Sequence, residues 1–133
     1  MNDIYLTLKK YRLEQSEKTL KDAKVLRKNQ GENYSVINRC YYSIFYSVLA
    51  LLVDSDFVGS KHYGVISYFD KYFVKTGIFP KELSEIIHKA FKMRNVGDYD
   101  EFVEYSLDEI SALIKDTEKF IRTIRNFIEE SSK

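Results

Sequence analysis

Very little in this chain interrupts a helix. One proline and five glycines among 133 residues leave few natural breaks, which favours long helices over many turns. A single cysteine, Cys40, excludes an internal disulfide framework. With no CxxC pair and no Cys/His cluster there is no zinc motif, so neither a metal nor a cofactor is expected. An excess of one charge sign is missing too. Twenty-one Lys plus Arg against twenty Asp plus Glu leave a formal net charge of +1, too little for the broad basic footprint of non-specific nucleic-acid binding. A small local basic site stays open. No serine or cysteine stands beside a base at a spacing that suggests a nucleophile.

Other absences bound the organisation. There is no internal repeat, low-complexity segment or linker, and the length suits one domain over residues 1–133 with one core. The opening MNDIYLTLKKYRLEQ lacks the basic-then-apolar layout of a signal peptide. The longest apolar run, VINRCYYSIFYSVLALLV, is interrupted by Asn38 and Arg39 and is shorter than the ~20 predominantly apolar residues that cross a bilayer. The expectation is a soluble, cytoplasmic protein without a membrane span.

What is present is helical periodicity. Leu6, Leu13 and Leu20 recur at heptad spacing in a first helix over about 3–29, with Ala23 and Leu26 extending its apolar side. QGEN ends it, and Asn33 is the expected N-cap of a second helix over about 34–54. That second helix is apolar nearly all round. One stripe is Ile37, Tyr41, Ile44, Val48 and Leu51; another is Tyr42, Tyr46, Leu49 and Val53. Such a helix needs cover on several sides, either as a central rod or with one stripe forming a dimer seam. A third helix begins near His62 and carries Ile66, Phe69 and Phe73 on the same face, until KTGIFP breaks the chain. Pro80 suits the first turn of a fourth helix. There Leu83, Ile86, Ile87, Ala90 and Phe91 form an apolar stripe, with Arg94 next on it. Ser106 and Glu109 read as the capping box of a fifth helix, whose face runs from Ile110 to Phe127. No run alternates with period two. The fold class is therefore all-α, an antiparallel up-and-down bundle of four to five helices.

The segment RNVGDYD, residues 94–100, carries more than a turn needs. Arg94 sits on an apolar stripe, where a charge is costly unless paired. Asp98 is a natural acceptor for it, Asn95 and Gly97 would supply a tight helix exit, and the Tyr99 ring would cover the pair. This arrangement serves equally as a helix stop with an ion pair, or as an arginine held ready for a phosphate or nucleobase. Arg39 poses the same alternatives, as a buried salt bridge, for instance to Asp98, or as a second cation in the same cleft. His62, at a helix N-terminus, is expected to be neutral and hydrogen-bonded, with ligand contact as the alternative. His88 is placed on a different face from Arg94 and read as solvated. The two histidines have no matched carboxylate motif and make a poor case for a metal. Most tyrosines belong to core or interface, although several could stack on a base.

RCYYSIFYSVLALL, KHYGVISYFDKYFVKTG and RNVGDYD, in that order over about 11–128, resemble the HEPN domain in its small stand-alone prokaryotic form. The resemblance implies an all-α bundle, commonly a homodimer, that is often encoded beside a minimal nucleotidyltransferase and acts with it in toxin–antitoxin or defence systems. Many such proteins are metal-independent ribonucleases using an Arg, four to six residues, His motif. Arg94 takes the place of that arginine, but Tyr99, Asp100 and Glu101 stand where the histidine belongs, and no histidine follows Arg94. Tyrosine, with a pKa near ~10, is a poor substitute in general acid–base chemistry. The reading is thus a non-catalytic module that binds a nucleotide or a nucleotidyltransferase partner, with Arg39, Tyr42, His62, Arg94, Asp98 and Tyr99 lining the cleft. Two alternatives remain. One is a ribonuclease using Arg94 with Tyr99, or with His62 from another helix. The other is a purely structural dimeric module with the Tyr42/Tyr46 stripe as its seam.

Overall fold

The structure, a computed structural model, describes residues 3–59, 61–99 and 104–132, with the side chains of 3 and 96–99 outside that description. Among the described residues the chain is all-helical. It runs through α1 (Asp3–Lys28), α2 (Asn33–Leu51), α3 (His62–Phe69), α4 (Lys81–Tyr99) and α5 (Leu107–Ser131), and a π-helical turn over Asp70–Val74 extends α3. No described helix is long and apolar enough to cross a membrane.

The expected punctuation accounts for most helix ends. The Gly31 N–H donates to the Leu26 carbonyl at 2.7 Å and closes α1. A Cβ on Gly31 would lie 3.0 Å from Leu26 Cδ2 and 3.1 Å from its carbonyl oxygen, so the close approach needs glycine. The capping box of α5 forms as the sequence indicates: Ser106 Oγ accepts from the Glu109 N–H, and Glu109 accepts from the Ser106 N–H, both at 3.1 Å. Gly77 takes a left-handed φ of 85° in the turn after the π-helix, where the Phe79 N–H reaches back to the Phe73 carbonyl at 2.8 Å.

Three boundaries differ from expectation. Glu32 occupies the N-cap of α2 without a side-chain cap bond. Asn33, expected there, is the first helical residue and donates instead to the Tyr105 carbonyl across the bundle at 3.0 Å. At its other end α2 stops at Leu51, and Asp54 beyond it meets Lys9 of α1 at 2.9 Å. The third difference bears on function. Asn95 and Gly97 were expected to end α4, but the helix passes through both to Tyr99. A helix-interior glycine costs only about 1 kcal/mol against alanine, which continued backbone hydrogen bonding offsets.

α2 is the central rod and packs against all four other helices. Its stripe of Ile37, Tyr41, Ile44, Val48 and Leu51 is fully buried, while Tyr42, Tyr46, Leu49 and Val53 are half-buried. Against α1 the approach is close because the facing residues are small. Ser16 Oγ donates to the Ser43 carbonyl at 2.6 Å and Ser43 Oγ to the Ser16 carbonyl at 2.7 Å, satisfying both buried hydroxyls. On the other sides Leu83, Ile87 and Ala90 of α4 and Ile110, Leu113, Phe120 and Ile124 of α5 complete the core.

Candidate functional site

The apolar stripe of α4 carries Arg94 toward α2, one turn beyond the buried Ala90. Its side chain is half-buried. Nη2 donates to the Tyr42 hydroxyl at 3.2 Å and Nη1 to Asn95 Oδ1 at 3.3 Å. The guanidinium carbon lies 5.5 Å from the Tyr41 ring centre and 5.4 Å from that of Tyr42. Two aromatic quadrupoles thus offset part of the cation's lost hydration. Arg94 makes further interactions beyond these.

Arg39 comes to the same ring from its own helix. Three residues separate it from Tyr42, so the two share a face of α2, and its guanidinium carbon is 5.6 Å from the Tyr42 ring centre. Its Nη2 donates to Asn38 Oδ1 at 2.9 Å. Among the described residues no carboxylate forms an ion pair with Arg39. The Tyr42 ring is therefore shared by two guanidiniums, one from α2 and one from α4.

His62, the first residue of α3, completes the group. Its ring stacks on Phe45 at 4.3 Å with an 11° interplanar angle, lies 5.5 Å from Tyr41, and meets Tyr42 edge-on at 5.6 Å. The Tyr41 hydroxyl is 2.6 Å from His62 Nδ1. Burial, and then the nearby Arg94 charge, push the imidazole pKa below its usual 6.5. The expected hydrogen bond of His62 is present, and burial, rather than the helix N-terminus, is the main cause that lowers its pKa. Burial also raises the Tyr41 phenol well above its ordinary value, with Arg94 partly opposing it. Tyr41 therefore keeps its proton, and its hydroxyl and His62 Nδ1 share one hydrogen bond whose direction follows the imidazole tautomer.

The structure brings four of the six sequence-derived residues together: Arg39, Tyr42, His62 and Arg94. The side chains of the other two, Asp98 and Tyr99, lie outside the described residues, so the expected Arg94–Asp98 and Arg39–Asp98 pairs do too. His88 is exposed but not merely solvated, since its Nε2 pairs with the Asp70 carboxylate of the π-helical turn; it bonds to none of the Arg94 group. Cys40 is buried, and burial pushes its thiol up to about 12, which rules it out as a nucleophile at neutral pH. Among the described residues no cluster of three or more His, Cys, Asp or Glu side chains is placed to hold a metal.

Sequence reasoning missed Tyr41 and Phe45, the residues that hold His62. Tyr41 had been assigned to the buried stripe, where it does lie. The available signal was its hydroxyl, because a buried tyrosine needs a hydrogen-bond partner somewhere.

The HEPN domain family matches residues 10–127. A "UPF0332 protein" of Thermotoga maritima is 41% identical over 84% of this chain and 83% of its own length. Two proteins of Methanocaldococcus jannaschii are also similar. "Putative toxin MJ0142" is 33% identical over 87% of this chain and 78% of its own length. "Putative toxin MJ0605" is 34% identical over 89% and 87%.

Proposed function

The chain belongs to the HEPN family, and on that premise we propose that it is a non-catalytic, toxin–antitoxin-type module that binds a phosphate-bearing ligand, a nucleotide or RNA, at the Arg94 cleft. The observation that carries this reading is the pair of guanidiniums, Arg39 and Arg94, on one tyrosine ring at 5.6 and 5.4 Å. Two planar, permanently charged donors suit a phosphate, and the rings of Tyr42 and its neighbours suit a stacked base. Two relatives that carry the name "Putative toxin" support the toxin–antitoxin setting. In that setting the partner is a minimal nucleotidyltransferase, and the half-buried Tyr46/Leu49 part of the α2 face is suited to a homodimer contact. Calorimetric titration with ATP, GTP and short RNA tests the site. Wild type is expected to release heat with at least one of them, and Arg94→Ala and Arg39→Ala to lose that signal. Folded wild type that binds none of the three would sink the proposal.

One observation favours a second reading, a metal-independent ribonuclease. His62 and Arg94 both lie against the rings of Tyr41 and Tyr42, so an arginine and a histidine share one site although no histidine follows Arg94 in the sequence. Incubation with single-stranded and structured RNA in a chelator separates the two. Cleavage that disappears in both Arg94→Ala and His62→Gln but persists in His88→Gln would replace the non-catalytic reading.

A further inference from the structure

Around Arg94, His62 is the one described group whose ordinary pKa lies near neutrality. From α2 it faces Tyr41, Tyr42 and Phe45, and from α4 the Arg94 cation. Its neighbours at the start of its own helix are Lys61 and Tyr63, both exposed. Among the described residues no carboxylate bonds to the ring, and burial together with the Arg94 cation favours its neutral form. Arg39 adds a further guanidinium to the Tyr42 ring that His62 meets edge-on. An anion seated on these guanidiniums would reverse the local sign and favour the imidazolium.

We propose that a phosphate-bearing ligand and a proton enter this site together: Arg94 and Arg39 hold the anion, and the His62 imidazole takes up a proton from solvent. This rests on the phosphate-binding reading above. On protonation both ring nitrogens carry hydrogen, and the Tyr41 oxygen then accepts from Nδ1. No covalent bond is made or broken, and the complex holds one more proton than its separated components. By linkage, the ligand raises the affinity for the proton and the proton raises the affinity for the ligand by the same factor. Binding therefore tightens as pH falls, and the ligand arrives with charge compensation already provided.

The test is calorimetric titration of the full chain with a short oligothymidylate. Its phosphodiesters and bases do not titrate near neutrality, and it has no 2′-hydroxyl to be cleaved. Affinity is expected to be about fivefold or more tighter near pH ~5.5 than near pH ~8, a difference under one pKa unit of coupling. Between these limits, two buffers of different ionisation heat should show net proton uptake on binding. His62→Gln, checked for helicity by circular dichroism, should bind with the pH dependence removed, while His88→Gln should keep it. Wild type that binds without proton uptake would overturn this inference and leave the phosphate site standing. Uptake retained in folded His62→Gln would overturn it as well, and failure of oligothymidylate, ATP, GTP and short RNA alike to bind at either pH would overturn both readings. Because proton uptake is read on wild type, the inference remains testable even if His62→Gln fails to fold.

Discussion

Two aromatic clusters of similar density lie in different parts of the bundle. The first joins Phe69, Phe73, Phe79, Phe120 and Phe127 from α3, the π-helical turn, the following loop and α5, with ring centres 5.1 to 6.4 Å apart. The second joins Tyr41, Tyr42, Phe45 and His62 at 4.3 to 6.3 Å. Packing alone does not tell them apart. The phenylalanine cluster has no side-chain polar atom, so burying it leaves nothing unsatisfied. The second has two hydroxyls and an imidazole, each needing a partner once dehydrated, and two guanidiniums lie on its rings. The lesson is that aromatic density marks a core, and polar tips with an unsatisfied appetite for charge mark a site.

Substitutions can break or sharpen that contrast. Phe120→Ala removes a fully buried ring from the first cluster and is expected to cost about 3–5 kcal/mol in urea unfolding. Ligand affinity per folded molecule should stay unchanged, and a loss of affinity at full folding would mean that the clusters are coupled. Arg94→Ala should do the reverse, weakening oligonucleotide binding by about tenfold or more, since hydrogen bonds to charged groups contribute about 1.5–3 kcal/mol. Its stability cost should be smaller than that of Phe120→Ala, because the guanidinium is only half-buried.

Tyr42→Phe makes the second cluster more like the first. It keeps the ring under both guanidiniums and removes the hydroxyl that accepts from Arg94, so a loss of about 0.5–1.5 kcal/mol in binding is expected by titration. An unchanged affinity would assign the whole effect to the ring face.

The smallest effect is a slope against pH. His62 has a folded pKa depressed below 6.5, so between the two values the unfolded chain binds more protons. Its contribution is therefore fully present above 6.5 and is lost as pH falls through the folded value. Subtracting the urea-unfolding pH profile of His62→Phe from that of wild type should leave this downward slope on the acid side. A flat difference would show that the imidazole titrates alike in both states.

Legibility in the sequence followed the range of the interactions involved. The capping box at Ser106 and Glu109, the stripe from Leu83 to Ala90 and the all-round burial demand of α2 depend on residues a turn or two apart, and each appears as read. RNVGDYD misled because Asn95 and Gly97 have the composition of a helix stop, whereas α4 continues through them. The π-helical turn over Asp70–Val74 left no periodic trace at all. Arg39 and Arg94 could be recognised as misplaced charges, but that both lie on the ring of Tyr42 could not.

Periodicity, the scarcity of breakers and the balance of charge were enough to determine an all-helical chain whose second helix needs cover on several sides, because a helix is specified by neighbours within four residues and its buried face by simple repetition. The depressed pKa of His62 and its place beside Tyr41 and Arg94 were decided by tertiary structure alone. They depend on contacts between three helices separated by tens of residues, and a desolvation effect exists only once those helices have closed around the ring.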